Sequence, residues 1–419
     1  MEVVTKICNP SECTGCFACY NACNHAAILF QVDNEGFRRP TINKDKCVGC
    51  KRCISVCPVN TPSKRNETPL KVYSGWCRND EIRISSSSGG AFTELASYFI
   101  REMKGVVFGV TLTNNLEARH IVVEKISDLH LIQGSKYIQS NVGDSYSIAK
   151  ERLRGGQNVL YSGTPCQIAG LKNYLGQDFP NLFTVDLICH GVPSERVFRD
   201  YINYLEKRLG HEVYEVKFRC KKRSWIYYNM AVNGHIDKNG RYAYDYEGGY
   251  YSDPFIRAFL RDNILRPSCY SCKYTSTQRL ADFTMADWWG YVQSSNEDKD
   301  FEKKGVSLIL CNTDKSCKLV KNLNLELKPR SLEAAKRTNL SLSKPFAEPA
   351  SRKTFWYDYD KLSFDEVIEK YLAPERLNPT SYVRYKFPQI FFRRLLFFVC
   401  RKYERLCLKL HFPVIKIKI

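Results

Sequence analysis

Apolar positions recur at helical spacing over residues 91–100, directly after the serine and glycine run 85–90, which predicts an amphipathic helix opened by Ser88, Gly89 and Gly90. Residues 105–110 and 119–124 are short apolar and β-branched runs and predict two strands. A turn at 134–137, containing Lys136, leads to a helix over 145–154. The next unit starts with an apolar strand at 158–163, after which Thr164 is a natural N-cap and Pro165 a natural first helical residue. Cys166 then falls in the first turn, where the positive helix end favours a thiolate. Another buried strand covers 182–191 and ends in Cys189, His190 and Gly191, and Ser194 caps a helix running to residue 209. Strand and helix alternate to about residue 262, so an α/β body around a parallel or mixed sheet is expected. A polar loop at 293–304 precedes a last strand at 306–311, and the polar stretch 61–69, with two prolines, reads as a linker. The pattern divides the chain into 1–62, 70–155, 156–330 and 331–419.

At 419 residues the chain can bury a substantial core in two or three domains. No apolar run is long enough to cross a bilayer and no signal-peptide core follows Met1, so a cytoplasmic location is expected. The net charge of +19 is uneven: from residue 382 onward ten Lys or Arg face one acid, Glu404. Without a zinc-finger, helix-turn-helix or RNA-binding signature, nucleic acid is not an expected partner. Over 390–410 cations and Phe/Leu positions separate onto opposite helical faces. That pattern fits two placements equally: a peripheral contact of 384–419 with the inner face of a membrane, or a helix docked on the protein itself or on a partner.

The nineteen cysteines change the picture most. Cys13, Cys16, Cys19 and Cys23 form one C-x-x-C-x-x-C-x-x-x-C run, and Cys47, Cys50, Cys53 and Cys57, followed by Pro58, form a second. This is the ligand pattern of a two-cluster ferredoxin, in which the fourth cysteine of each run serves the other cluster. Cys13, Cys16, Cys19 and Cys57 are thus assigned to one 4Fe-4S cluster, and Cys47, Cys50, Cys53 and Cys23 to the second. Gly15 and Gly49 sit where the backbone must turn tightly between ligands. Structural zinc also uses paired C-x-x-C motifs but does not explain two identical triplet-plus-one runs. A chain committed to clusters expects reducing conditions. The separate C-x-x-C at Cys269 and Cys272 fits metal ligation or free thiols equally well.

Taken in order, Ser88 to Gly90, Gly134 to Tyr137, the Gly-Thr-Pro-Cys-Gln run ending at Gln167, Cys189 to Gly191, Phe218 with Arg219, Cys269 with Cys272, and the stretch from Ala281 to Gly290 resemble the coenzyme F-420 hydrogenase/dehydrogenase beta-subunit family. The resemblance runs from about residue 72 to about 312, with the ferredoxin run as an N-terminal fusion. It implies an iron–sulfur flavoprotein: an α+β ferredoxin-like domain, an α/β mixed-sheet body that binds FAD, and a helical basic tail. It further implies a third 4Fe-4S cluster on Cys166, Cys189, Cys269 and Cys272. FAD is expected at Ser88, Gly89, Gly90 and Lys136, with Arg219 and Lys222 for an anionic part of cofactor or substrate. The family pattern usually has an acid after the Phe-Arg pair; here Cys220 stands there, which leaves the role of Lys221 and Lys222 open.

Each of these assignments has a plainer counterpart. Ser and Gly before a helix are ordinary caps, the cations from Arg219 to Arg223 read as a solvated strand end, and Trp288 and Trp289 as core. Lys136 and His190 are catalytic candidates, though a His after a buried strand is commonly structural. Asp287 either orients a ligand or caps a turn, and Cys8, Cys77, Cys220, Cys311, Cys317, Cys400 and Cys407 read as ordinary thiols. The expected activity is electron transfer through the clusters to FAD and on to a small-molecule two-electron substrate such as coenzyme F-420 or another acceptor. A redox partner, either ferredoxin or a hydrogenase or dehydrogenase subunit, is expected alongside. The alternative is a non-catalytic electron-transfer adaptor docking on a redox partner or membrane complex.

Overall fold

In a computed structural model, which describes residues 3–222, 224–290 and 300–373, the two N-terminal cysteine runs fold as near copies of each other. Each run turns through a left-handed glycine (Gly15, φ 65°; Gly49, φ 71°) and then a left-handed N-cap residue (Phe17, φ 65°; Lys51, φ 58°) into a single helical turn, Ala18–Asn21 or Arg52–Ser55. Strands β1 (Ile28–Val32) and β2 (Arg38–Ile42) pair antiparallel between the runs, and Phe17 stacks on Phe30 at 3.9 Å. The stretch 61–69 forms no helix or strand but is tied to the body, with Asn66 N donating to Arg279 O at 2.8 Å.

The body is built on one mixed sheet. Its strands are β3 (Lys71–Cys77), β4 (Val106–Leu112), β5 (Ala118–Val123), β6 (Val159–Ser162) and β7 (Leu182–Leu187), followed later by three more. Between these groups, β8 (Val216–Cys220), β9 (Asn229–Ile236) and β10 (Tyr242–Gly249) form a separate three-stranded antiparallel sheet. The alternation expected up to residue 262 therefore stops at residue 209; one-turn connections let neighbouring strands pair directly, where a parallel sheet would need crossover helices. The large sheet is completed by β11 (Phe283–Asp287), β12 (Ser307–Cys311) and β13 (Leu325–Pro329), in the order β13-β3-β12-β11-β7-β6-β4-β5. Strand 307–311 is therefore not the last: β13 pairs with β3 at the sheet edge, and its Leu-Glu-Leu-Lys-Pro sequence carries little of the apolar run that marks a central strand.

Only the inner strands are parallel: β4 with β6, β6 with β7, and β7 with β11. Both faces of this inner sheet are covered, which is why these strands read as nearly continuous apolar runs. The period of two decides which residue faces where. Val107 and Leu160 pack with Leu95, Ala96 and Phe99 of the helix Ala91–Arg101 on one face. On the other, Val106, Phe108, Val159 and Tyr161 meet the helices Ser145–Arg154 and Pro165–Leu175, and Cys16, Phe17 and Ala18 of the ferredoxin run join that core.

The segments 70–155 and 156–330 both contribute strands to this sheet. Beyond it, Arg352 of the helix Arg352–Tyr359 pairs with Glu35, and Tyr359 Oη donates to Asp200 at 2.6 Å. Among the described residues no helix is long and apolar enough to cross a membrane. The basic segment 384–419, with its expected membrane contact, and Arg223, Cys400 and Cys407 lie outside the described residues.

Candidate functional site

Cys13, Cys16, Cys19 and Cys57 line one small cavity, and Cys23, Cys47, Cys50 and Cys53 line another, each of about 320 Å³. The fourth cysteine of each run has crossed to the other run's triplet, as the repeat demanded. Among the described residues no three Cys, His, Asp or Glu side chains converge closely enough to hold a single ion. The thiols thus surround a space of cluster size, where zinc would need donors about 2.3 Å from one point. Burial pushes the Cys16 thiol up to about 12 and Cys19 well above its ordinary range, so a bound cationic centre is what would hold them as thiolates.

The sequence placed Cys8 among the ordinary thiols; it lines the first cavity as well. It lies within hydrogen-bonding reach of Cys13 and Cys57, and that contact pushes Cys8 up and Cys13 down to about 5. The only sequence clue was its position five residues before the first run.

A third cavity gathers Cys166, Cys189, Cys269 and Cys272, residues spread over more than a hundred positions. Cys166 and Cys189 sit just past the carboxyl ends of the parallel strands β6 and β7, the end where open α/β sheets hold their ligands. Thr164 and Gln167 form a capping box that fixes the turn bearing Cys166, with Thr164 N donating to Gln167 Oε1 at 2.9 Å. Cys269 lies on the short helix Pro267–Tyr270 and its sulfur accepts from Val192 N at 3.4 Å, while Cys272 accepts from Tyr274 N at 3.4 Å. The helix terminus does not win at Cys166: burial dominates and raises its thiol to about 11, and Cys269 rises to about 12 for the same reason.

Thr14 and Val59 belong to the walls of both the first and the third cavity, so one layer of residues separates them. Gly170 permits this approach, since a Cβ there would stand 3.0 Å from Cys16 Sγ. Two further groups mark the third cavity. His190 lines it and shares a 2.7 Å contact from Nε2 to Asp262 Oδ1, with its ring against Phe259 and Phe346. Arg279, also in the wall, is ion-paired at 3.0 Å with Asp186, both nearly inaccessible.

The residues singled out for an anionic cofactor converge elsewhere, where three loops meet. Ser135 N donates to Ser87 Oγ at 2.7 Å, Gln133 Nε2 reaches Ser85 and Ser86, and Lys221 Nζ donates to the carbonyls of Arg83, Ser88 and Lys304. Arg219 donates to Asp287 at 2.6 Å and to Tyr137 Oη at 3.3 Å, with Tyr228 stacked 4.1 Å away. Its Nε and Nη2 are buried and find no acceptor among the described residues. Arg219 and Lys221 are thus interior, not a solvated strand end, while Lys222 pairs with Glu247 on the outer side. Half-buried Lys136 donates only to backbone carbonyls, at 2.8 Å to Gln133 and 3.2 Å to Gly134, and desolvation pulls it below the ordinary lysine range.

Two of the glycines have a role within the protein itself. A Cβ on Gly89 would stand 2.5 Å from Gly75 O, and Gly90 (φ 85°) opens the helix Ala91–Arg101, which has no side-chain cap. Trp288 is core, as expected; Trp289 instead stacks on Trp225 at 5.0 Å, and Asp287 accepts from Trp225 Nε1 at 2.9 Å.

Three thiol-lined cavities on and beside an α/β body define an iron–sulfur redox protein. Residues 12–61 match the model for a 4Fe-4S dicluster domain, and residues 156–332 match the model for the C terminus of the coenzyme F420 hydrogenase/dehydrogenase beta subunit. The chain thus carries the C-terminal domain of that oxidoreductase-subunit family behind a 4Fe-4S dicluster domain. The ferredoxin-type protein NapF of Haemophilus influenzae is 40% identical over 45 residues, which is 11% of this chain and 26% of that protein. This chain thus spans about a quarter of the length of that relative. A chain of the F420-reducing [NiFe] hydrogenase complex from Methanosarcina barkeri aligns with 18% identity and a TM-score of 0.44, covering 69% of this chain and 92% of that one.

Proposed function

We propose that this chain is an FAD-dependent iron–sulfur oxidoreductase that moves electrons between three 4Fe-4S clusters and a two-electron substrate such as coenzyme F-420 or another acceptor. The observation that carries the reading is the wall shared by the first and third cavities at Thr14 and Val59. When bound, the clusters would supply one-electron carriage and the flavin would exchange it for two-electron chemistry. Cys13, Cys16, Cys19 and Cys57 would hold one cluster, Cys23, Cys47, Cys50 and Cys53 the second, and Cys166, Cys189, Cys269 and Cys272 the third.

The orphaned donors of Arg219 fit an anionic part of FAD, and the uncapped helix start after Gly90 fits a phosphate. Lys136, beside Tyr137, would complete the positive lining of that site. His190, held by Asp262 at the third cavity, is placed to take or give a proton when the charge there changes. Cys50 is exposed among exposed Lys44, Lys46, Lys51 and Arg52, a rim that suits an acidic redox partner, whether ferredoxin or a hydrogenase or dehydrogenase subunit.

Anaerobic purification with iron, sulfide and flavin analysis tests the reading: about twelve irons per chain, four per cubane, and one flavin are expected. Cys272→Ser should remove about four of them. An iron content unchanged by that substitution removes the third cluster, and cluster-loaded protein that binds no flavin yet passes electrons to a partner supports the adaptor instead.

A further inference from the structure

Arg266 is fully inaccessible, and its guanidinium is aimed at the first thiol cavity. Nε donates to Cys13 O at 2.8 Å, Nη1 to Gln139 Oε1 at 2.7 Å, and Nη2 to Arg38 O at 2.8 Å, with Cys13 Sγ 3.8 Å from Nη2. Every one of these acceptors is neutral except the sulfur, and among the described residues no carboxylate pairs with Arg266. A fully buried cation without a counter-charge is unfavourable for any fold, so the compensating negative charge has to lie in the cavity that Cys13 lines.

The surroundings are arranged for this contact. Gln139 is itself fixed by donating from Nε2 to Thr14 O at 3.0 Å and Gly15 O at 3.2 Å, within the turn that carries Cys13 and Cys16. Gly15 has a second reason to be glycine besides its positive φ: a Cβ there would stand 3.0 Å from Arg266 Nη1 and 2.6 Å from Gln139 Nε2. The backbone of Arg266 meanwhile belongs to the third cavity. Its N–H donates to Val192 O at 2.8 Å and its carbonyl accepts from Cys269 N at 2.8 Å, so it leads directly into the short helix that carries Cys269.

Resting on the cluster assignment above, we propose that Arg266 is the internal counter-ion of the cluster held by Cys13, Cys16, Cys19 and Cys57 and sets its reduction potential above that of its twin. A cubane with four thiolates is an anion and gains a further negative charge on reduction, so a contacting buried cation and an N–H aimed at sulfur favour the reduced form. The second cavity has no equivalent: its wall carries Lys51 and Arg52, both exposed, where solvent screens them. One residue thereby makes the first cluster the preferred electron site of the pair, and that site is the one adjoining the third cavity. Arg266 acts through Cys13 and is a positioning residue, not a catalytic one.

An anaerobic redox titration followed by electron paramagnetic resonance tests this, on full-length holoprotein with iron counted in parallel. Arg266→Gln is expected to keep its iron but lower the reduced fraction of one ferredoxin cluster at least tenfold at fixed potential. That is a shift of about 59 mV for one electron. Arg266→Lys, which keeps the charge, should restore most of the shift. Gln139→Glu neutralises the guanidinium from its other side and should move the same cluster in the same direction; it decides the question if Arg266→Gln loses its cluster. Iron-loaded Arg266→Gln or Gln139→Glu protein with both midpoints unmoved overturns the proposal. A wild-type chain without iron on the eight N-terminal cysteines would instead sink the cluster assignment beneath it.

Discussion

Gly170 sits in the middle of the helix that carries Cys166, a position where glycine is ordinarily unfavourable. Replacing it with alanine should gain about 0.5–1 kcal/mol from helix propensity alone. Against this, the new Cβ would stand 3.0 Å from Cys16 Sγ, 3.1 Å from Cys16 Cβ and 3.1 Å from Tyr146 Oη. Ordinary carbon contacts lie at about 3.5–4.0 Å, so Cys16 or the helix must retreat by roughly half an ångström. Tyr146 resists that retreat because its hydroxyl is anchored to the backbone oxygens of Cys16 and Gln167 at 2.8 and 2.7 Å. Overpacking a tight core costs about 1–3 kcal/mol, so Gly170→Ala should be net destabilising by roughly 1–2 kcal/mol. The denaturant midpoint of anaerobic, iron-loaded protein should fall, and the resonance signal of the cluster on Cys16 should broaden or shift. A variant stabilised by the full propensity gain, with that signal unmoved, would refute the idea that glycine here sets the spacing between the two cavities.

Three further outcomes are expected. On brief exposure to air the cluster on Cys23, Cys47, Cys50 and Cys53 should go first, because Cys50 is exposed whereas Cys13, Cys16, Cys19 and Cys57 are at most 8% accessible; timed iron counts and resonance spectra showing the reverse order would contradict this. Arg219→Lys keeps the charge but loses the planar fork, so flavin should bind about tenfold more weakly with iron content unchanged, and an unaltered Kd for FAD would argue against that site. His120 is buried between Tyr161 and the Ser162 carbonyl, and burial lowers its pKa from 6.5 to about 4. Between those values the unfolded chain takes up a proton that the folded chain refuses, so acidification costs stability there, up to about 1.4 kcal/mol per pH unit. Asp253, raised by burial from 3.8 to about 6, works in the opposite direction over nearly the same window. His120→Phe should therefore gain stability relative to wild type as pH falls from 6.5 towards 4, and parallel urea midpoints for the two proteins over that range would exclude the effect.

Much of the ferredoxin-like region was legible because its chemistry is local. Three ligands within seven residues oblige the chain to curl through a left-handed glycine, and both runs repeat the spacing, so even the exchange of the fourth cysteine follows from sequence. The helices after Thr164 and Ser194 were legible for a similar reason: their caps and apolar spacing are read within a few residues, and the second begins and ends where the pattern placed it. The strands of the parallel centre were also plain, since burial on both faces leaves almost nothing but apolar side chains.

What the sequence could not decide was which distant segments share a wall. Strand β13 escaped because an edge strand has little burial to advertise, and the antiparallel sheet of β8 to β10 because pairing partners are not written in either strand alone. The cations at Arg219 and Lys221 looked like a solvated strand end, since charge predicts exposure unless a tertiary partner is known; Asp287 and three carbonyls supply those partners. Cys8 looked like a spare thiol and Arg266 like nothing in particular. Their positions against Cys13 come from packing the amino-terminal turns onto a body more than two hundred residues away, and it is that packing, through burial and close approach, which turns unremarkable side chains into part of a charge-carrying site.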